Sequence, residues 1–176
     1  MFSMVLDPPA EGNDTMPRDQ EGFSLVELLV VIAIILVIAA IAIPSLLRSR
    51  IAANQASAIE SLRVIGTAEA TYAAIYGNGY SLTLSMLGSP PAGTGTSTSA
   101  AGLIDELLQS GSKSGYTFTY SPTTIDPSGR YNGYSMWANP TELGITGLDF
   151  YYTDATHIIR VNEASQAGST DSYVAD

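Results

Sequence analysis

The hydrophobic and polar positions of this chain follow three different rules in turn. From Leu28 to Ile43 every side chain is apolar, and no charge appears until Arg48. From Ser45 to about Tyr76 apolar residues recur at steps of three, four or seven: Ile51, Ala58, Leu62, Ile65, Tyr72 and Tyr76. This is the stripe of an amphipathic helix, and Glu60, Arg63 and Glu69 are read as falling off it. Beyond residue 115 the period shortens to two. Tyr116, Phe118 and Tyr120 alternate with Thr117 and Thr119, which is strand chemistry.

The first pattern is long enough to cross a bilayer. Leu28 to Leu47 is twenty uncharged residues, which as a helix spans about 30 Å, the thickness of the hydrocarbon core. Twelve of the sixteen purely apolar residues are Leu, Ile or Val. Their insertion into lipid is favourable by roughly 4–7 kcal/mol in total. A cleavable secretory signal fits poorly, because the flank before the apolar core carries Asp7, Glu11, Asp14, Asp19 and Glu21 against Arg18 alone. No small-residue cleavage site follows the core, and the helical pattern resumes after Pro44. Glu27 sits just inside this segment, where a carboxylate is costly and tends to mark a function.

The elements that follow have their own punctuation. Gly77-Asn78-Gly79 ends the helix. Gly88 to Gly102 reads as a flexible, low-complexity loop whose hydroxyls are bare rather than glycosylated. Leu103, Ile104, Leu107 and Leu108 predict a short helix ending near Gly111. Strands are expected at Tyr116–Tyr120, Tyr131–Ala138, Leu148–Thr153 and His157–Val161, with Asp154-Ala155-Thr156 turning the last hairpin. Three or four antiparallel strands would cover the helical stripe. Glu163 to Asp176 has little to bury and is expected to fray as a flexible tail.

Composition narrows the chemistry. The chain has 176 residues, 14% of them charged, a mean hydropathy of +0.17 and a formal charge of −10. Neither a fully cytosolic globular protein nor a multi-span membrane protein fits this distribution. The acidity disfavours nucleic acid as a partner, since phosphate binding needs a basic face. The lack of cysteine excludes disulfides, thiol catalysis and thiolate metal sites. Ser110-Gly111-Ser112-Lys113 matches the S-x-x-K motif formally, but no companion motif accompanies it. Nor does it have the glycine spacing of a phosphate loop. His157, the sole histidine, reads as a surface residue. Asp126, Asp149 and Asp154 lie near turns without the spacing of a calcium loop, so calcium is a minor alternative to no cofactor. The tyrosines on strands read as core and interface, not as a conducting path.

The string Gly22-Phe23-Ser24-Leu25-Val26-Glu27-Leu28-Leu29-Val30-Val31 resembles the processing site and first helix of type IV pilins and type II secretion pseudopilins. The resemblance covers about Glu21 to Arg50. It implies cleavage by a prepilin peptidase between Gly22 and Phe23 and N-methylation of Phe23. It also implies that Glu27 pairs with the Phe23 α-ammonium of a neighbouring subunit, and that Pro44 marks a place where the helix loosens. It implies no enzymatic activity. Four of the ten negative charges would leave with the leader. That leader departs from the family pattern in its acidity, which also opposes the positive-inside rule, because Arg48 and Arg50 lie on the far side. Translation from Met16 would resolve this by leaving the short leader Met-Pro-Arg-Asp-Gln-Glu-Gly.

These readings predict an α+β, pilin-like fold: a long N-terminal helical spine, half transmembrane and half amphipathic, packed against a small antiparallel sheet. The expected divisions are a leader (1–22), a transmembrane and assembly helix (23–47), an amphipathic helix (48–76), a head of loops and sheet (77–162) and the tail (163–176). The implied role is a subunit that polymerises with copies of itself into a type IV pilus-like filament. The major pseudopilin of a type II secretion system is the alternative, and a single-pass anchored binding protein a third. The absent cysteines tilt toward a pseudopilin head, while the Thr/Ser loop and tyrosines suit an exposed pilus surface. The implied partners are prepilin peptidase, inner-membrane assembly machinery and membrane lipid. The subunit would sit in the inner membrane before assembly and in an extracellular or periplasmic filament afterwards.

Overall fold

The computed structural model describes residues 22–174. The leader up to Glu21 and a start at Met16 lie outside the described residues. The chain divides into two units, one ending at Ile41 and one beginning at Ala42.

Helix α1 runs from Leu25 to Tyr76. It contains Pro44, which has no N–H to give the carbonyl four residues earlier, yet the helix continues on either side of it. It ends at Gly77, whose φ of +67° is the left-handed geometry that glycine adopts freely and whose N–H closes on the Ala73 carbonyl at 3.0 Å. Two one-turn helices follow, α2 (Leu84–Leu87) and α3 (Glu106–Gln109). The Asp105 carboxylate caps α3 by accepting from Leu108 N at 2.8 Å.

The sheet has six strands: β1 (Ser112–Lys113), β2 (Tyr116–Ile125), β3 (Tyr131–Pro140), β4 (Phe150–Asp154), β5 (Arg160–Asn162) and β6 (Ser172–Tyr173). Every strand pairs antiparallel with its sequence neighbour, so the order is β1-β2-β3-β4-β5-β6. The expected α+β arrangement of a long helix against an antiparallel sheet is the one observed. The expected strand number was too low, because β1 and β6 are two residues each and too short to carry an alternating pattern. Ser114 and Gly115, both at positive φ, make the two-residue turn that joins β1 to β2.

Register places one row of each strand toward the helix. Phe118 lies opposite Ala138, Ala138 opposite Tyr151, and Tyr151 opposite Val161. These residues meet Ala58, Leu62, Ile65 and Tyr72 of α1 in a single core. The other face of the sheet carries Trp137 and Tyr152, with ring centroids 5.6 Å apart. The tail, expected to bury little, covers part of that face. Ala167 is buried and accepts from Trp137 Nε1 at 3.0 Å, and the tail then returns to form β6. Trp137 is the reason: an indole N–H on a covered face needs a partner, and the tail backbone supplies it.

Two further expectations need correction. The last hairpin was expected to resume at His157, but β5 begins at Arg160. Asp154 accepts from both Thr156 N and Thr156 Oγ1, and His157 adopts φ +62°, so the turn extends past three residues. The Gly88–Gly102 loop, expected to be flexible, is pinned at both ends. Ala101 N, Gly102 N and Leu103 N donate to Met86, Gly88 and Leu87 carbonyls at 2.7–2.8 Å, and Tyr72 Oη donates to Thr98 O at 2.8 Å.

The largest correction concerns Glu69. It lies in the stripe, not off it: Leu62, Ile65, Glu69 and Tyr72 are spaced three, four and three, and Glu69 is fully buried. Its carboxylate accepts from Ser81 N at 2.9 Å and from Ser81 Oγ at 2.6 Å. Ser81 is equally buried, and its carbonyl accepts from Tyr120 Oη at 2.8 Å. The carboxylate thus clasps the segment that leaves α1 against the helix and strand β2. Burial pushes the Glu69 pKa above its ordinary value of 4.5, while the Ser81 hydrogen bonds pull the other way. The folded state therefore holds the Glu69 proton more tightly than the unfolded chain. The contribution of this group to stability is fullest below the ordinary value and declines as pH rises through the folded pKa.

Glu69→Gln keeps an acceptor for Ser81 N and offers a donor to Ser81 Oγ. Urea unfolding of the detergent-solubilised chain between about pH 4 and about pH 8 should show the wild type losing stability with rising pH and this variant losing less. Glu69→Ala leaves the buried Ser81 N–H without its acceptor, the Ser81 hydroxyl keeping only the Thr83 carbonyl, and should cost about 2–4 kcal/mol. A second test is Gly147→Ala. A Cβ there would stand 2.1 Å from the Oη of Tyr116, a fully buried ring, so a loss of about 1–3 kcal/mol is expected in the same assay.

Candidate processing and assembly site

The residues that begin α1 make few demands on one another. Among the described residues a Cβ at Gly22 would meet nothing within 4 Å, so their packing does not require glycine there. Phe23 follows with its ring 84% exposed. Ser24 then starts the helix. Its Oγ accepts from Val26 N at 3.3 Å and its carbonyl from Leu28 N at 3.2 Å, which satisfies two of the donors that a helix N-terminus leaves open.

Glu27 is in the first turn of α1, where the helix dipole favours a negative charge. It is exposed, and among the described residues it makes no hydrogen bond or ion pair. The surface around it is apolar throughout. Sixteen large apolar side chains between Leu25 and Leu47 are 43–79% exposed. Covering them is worth on the order of tens of kcal/mol, so this surface is stable only against lipid or other protein. By length and composition α1 is apolar enough to cross a membrane, the only such helix among the described residues. Gly22, Phe23 and Glu27 thus stand within six residues at the mouth of an uncovered apolar helix. Pro44 is farther along α1, in the unit that begins at Ala42.

The remaining candidates are separate from this site and from one another. Ser110 Oγ donates to the Leu107 carbonyl, and Lys113 pairs with Asp105 at 2.6 Å, so the S-x-x-K residues are engaged in capping and ion pairing. His157 is exposed, with its ring edge-on to Tyr134. Asp126 accepts from Ser128 N and Arg130 N, Asp149 from Gln55, and Asp154 from Thr156. Among the described residues no three acidic or histidine side chains gather as metal ligands. Glu69 is the functional-looking group that sequence reasoning missed, and its position in the apolar spacing was the available signal.

Residues 17–43 match the family described as the prokaryotic N-terminal methylation motif, a span that includes Gly22, Phe23 and Glu27. Neither curated proteins nor solved structures give a match to the chain. The amino-terminal segment therefore carries the prepilin-type signal found in type IV pilins and pseudopilins.

Proposed function

We propose that the chain is a structural subunit that prepilin peptidase cuts between Gly22 and Phe23 and methylates at the Phe23 amine. The mature chain then polymerises through α1 into a type IV pilus-like filament. The observation that carries this reading is Glu27, an exposed carboxylate with no partner among the described residues, set in an apolar stretch of α1 within the methylation motif. Cleavage would create a new α-ammonium four residues before it. Each charge alone is costly in an apolar bundle, and the two paired between subunits are tolerable. The pair acts as a register key, while burial of the apolar side chains supplies the driving force. Before assembly lipid covers α1, and afterwards neighbouring copies do. Pro44, with one helical hydrogen bond fewer behind it, is where α1 would yield when it changes surroundings.

Intact-mass measurement of the cellular protein should give a chain beginning at Phe23 and heavier by one methyl group; a retained leader would favour the anchored-protein reading. Gly22→Leu should abolish cleavage while leaving the head folded, since no described residue packs against Gly22. Glu27→Ala and Glu27→Leu should both keep the protein in membranes and lower filament yield severalfold. Normal yield from both would remove Glu27 from assembly. Long surface fibres on imaged cells would mark a pilus, and a secretion defect without fibres a pseudopilus.

A further inference from the structure

The segment between β3 and β4, residues 141–149, presents three large apolar side chains to solvent: Leu143, Ile145 and Leu148, each more than half exposed. The segment is a closed, fixed structure. Ile145 N and Thr146 N donate to the Glu142 carbonyl at 3.1 and 2.9 Å, and Gly144 N donates to Gly147 O at 2.9 Å. Thr146 Oγ1 accepts from Glu142 N at 3.0 Å. Two side chains of α1 hold it from below: Asn54 Nδ2 donates to Thr146 O at 2.9 Å, and Gln55 donates to the Asp149 carboxylate. Tyr116 Oη donates to Asp149 O at 3.0 Å, and Gly147 lies against the Tyr116 ring. A loop whose backbone is satisfied internally and whose base is bolted to a helix cannot fold its apolar side chains away. They remain exposed unless something covers them.

Its place on α1 says what does. Asn54 is seven residues past Leu47, about 10 Å along the helix from the end of the apolar run. Ile43, Leu46 and Leu47, exposed apolar residues of that run, belong to the same unit as the loop. Arg48 and Arg50, both exposed, lie between them and Asn54. Two arginines beside a membrane helix complement anionic headgroups, and Leu and Ile side chains enter the boundary between headgroups and acyl chains. Glu142 of the loop is also exposed.

We propose that the 141–149 loop is a second membrane contact. Leu143, Ile145 and Leu148 rest in the interface of an anionic bilayer beside Arg48 and Arg50, and they fix the head against the lipid while the subunit awaits assembly. This rests on the reading of residues 23–47 as the membrane anchor. The anchor alone leaves the head free to swivel, whereas a second contact off the helix axis selects one orientation.

The absence of cysteine from the chain permits single-cysteine labelling. The full chain carrying Ile145→Cys, Ser128→Cys or Val30→Cys would be labelled with an environment-sensitive dye. Each variant would be placed in vesicles of phosphatidylethanolamine and phosphatidylglycerol bearing nitroxide lipids. Ser128 lies in the β2–β3 turn, at the far end of β3 from the loop. The dye at Ile145 should be quenched by a headgroup-level nitroxide severalfold more than the dye at Ser128. That excess should fall in a Leu143→Ser/Leu148→Ser background and in vesicles of phosphatidylcholine alone. A dye at Val30 unquenched by an acyl-chain nitroxide overturns the anchor reading, and this proposal with it. A quenched Val30 with Ile145 no more quenched than Ser128 overturns the lipid contact alone. If the double serine variant then also loses filaments, the surface belongs to a contact between copies.

Discussion

Apolar surface on α1 has to leave water, and the rest of the molecule is arranged around the two ways in which it does so. Beyond residue 50 the apolar residues form one stripe, and a six-stranded sheet with its flanking loops covers it within the chain. From Leu28 to Ile43 the helix is apolar on every side, and among the described residues nothing covers it. The first problem has an internal solution, so the head has a core of its own. The second has none among the described residues, so this part of α1 calls for another phase or another molecule. A protein built this way is committed to lipid or to assembly by its surface, before any specific contact is considered.

Within the head, the connection leaving α1 is governed by a polar group. Glu69 occupies a position where spacing calls for an apolar side chain, and it is accommodated because Ser81 brings two donors to it. Tyr120 then accounts for the Ser81 carbonyl. A satisfied polar network of this kind is specific in a way that leucine packing is not, since it accepts one register of the 77–83 segment against the helix. The aromatic residues around it fill volume: Tyr134 stacks on Tyr120 at 5.7 Å and meets Tyr80 edge-on at 5.0 Å.

Much of this was legible in the sequence where one physical effect dominated. The sixteen-residue apolar run admits one environment, and Gly77-Asn78-Gly79 admits one outcome for a helix that reaches it. Alternation from Tyr116 to Tyr120 and from Tyr131 to Ala138 identified the central strands because inner and outer faces differ in kind. Reading failed where effects competed. Glu69 was placed outside by its charge, although the spacing of its neighbours placed it inside. Strands β1 and β6 have too few residues for a pattern, and the tail is ordered by what it covers, Trp137, not by its own composition. Glu27 stood out because nothing near it explains a carboxylate. The 141–149 loop did not, since its fixed shape arises from hydrogen bonds to Asn54, Gln55 and Tyr116, far away along the chain.

The sheet order has a consequence for how the head comes into being. Each strand pairs only with the strand before it and the strand after it. No ladder waits for a partner from a distant stretch of chain, and the connections between paired strands run from two to nine residues, so the search for pairing stays local. A chain threaded through a membrane from its amino end delivers these strands in the order in which they are used. The last strand delivered, β6, is an edge strand two residues long. A head whose final residues are late in emerging therefore already has its helix covered, and lacks only a hem.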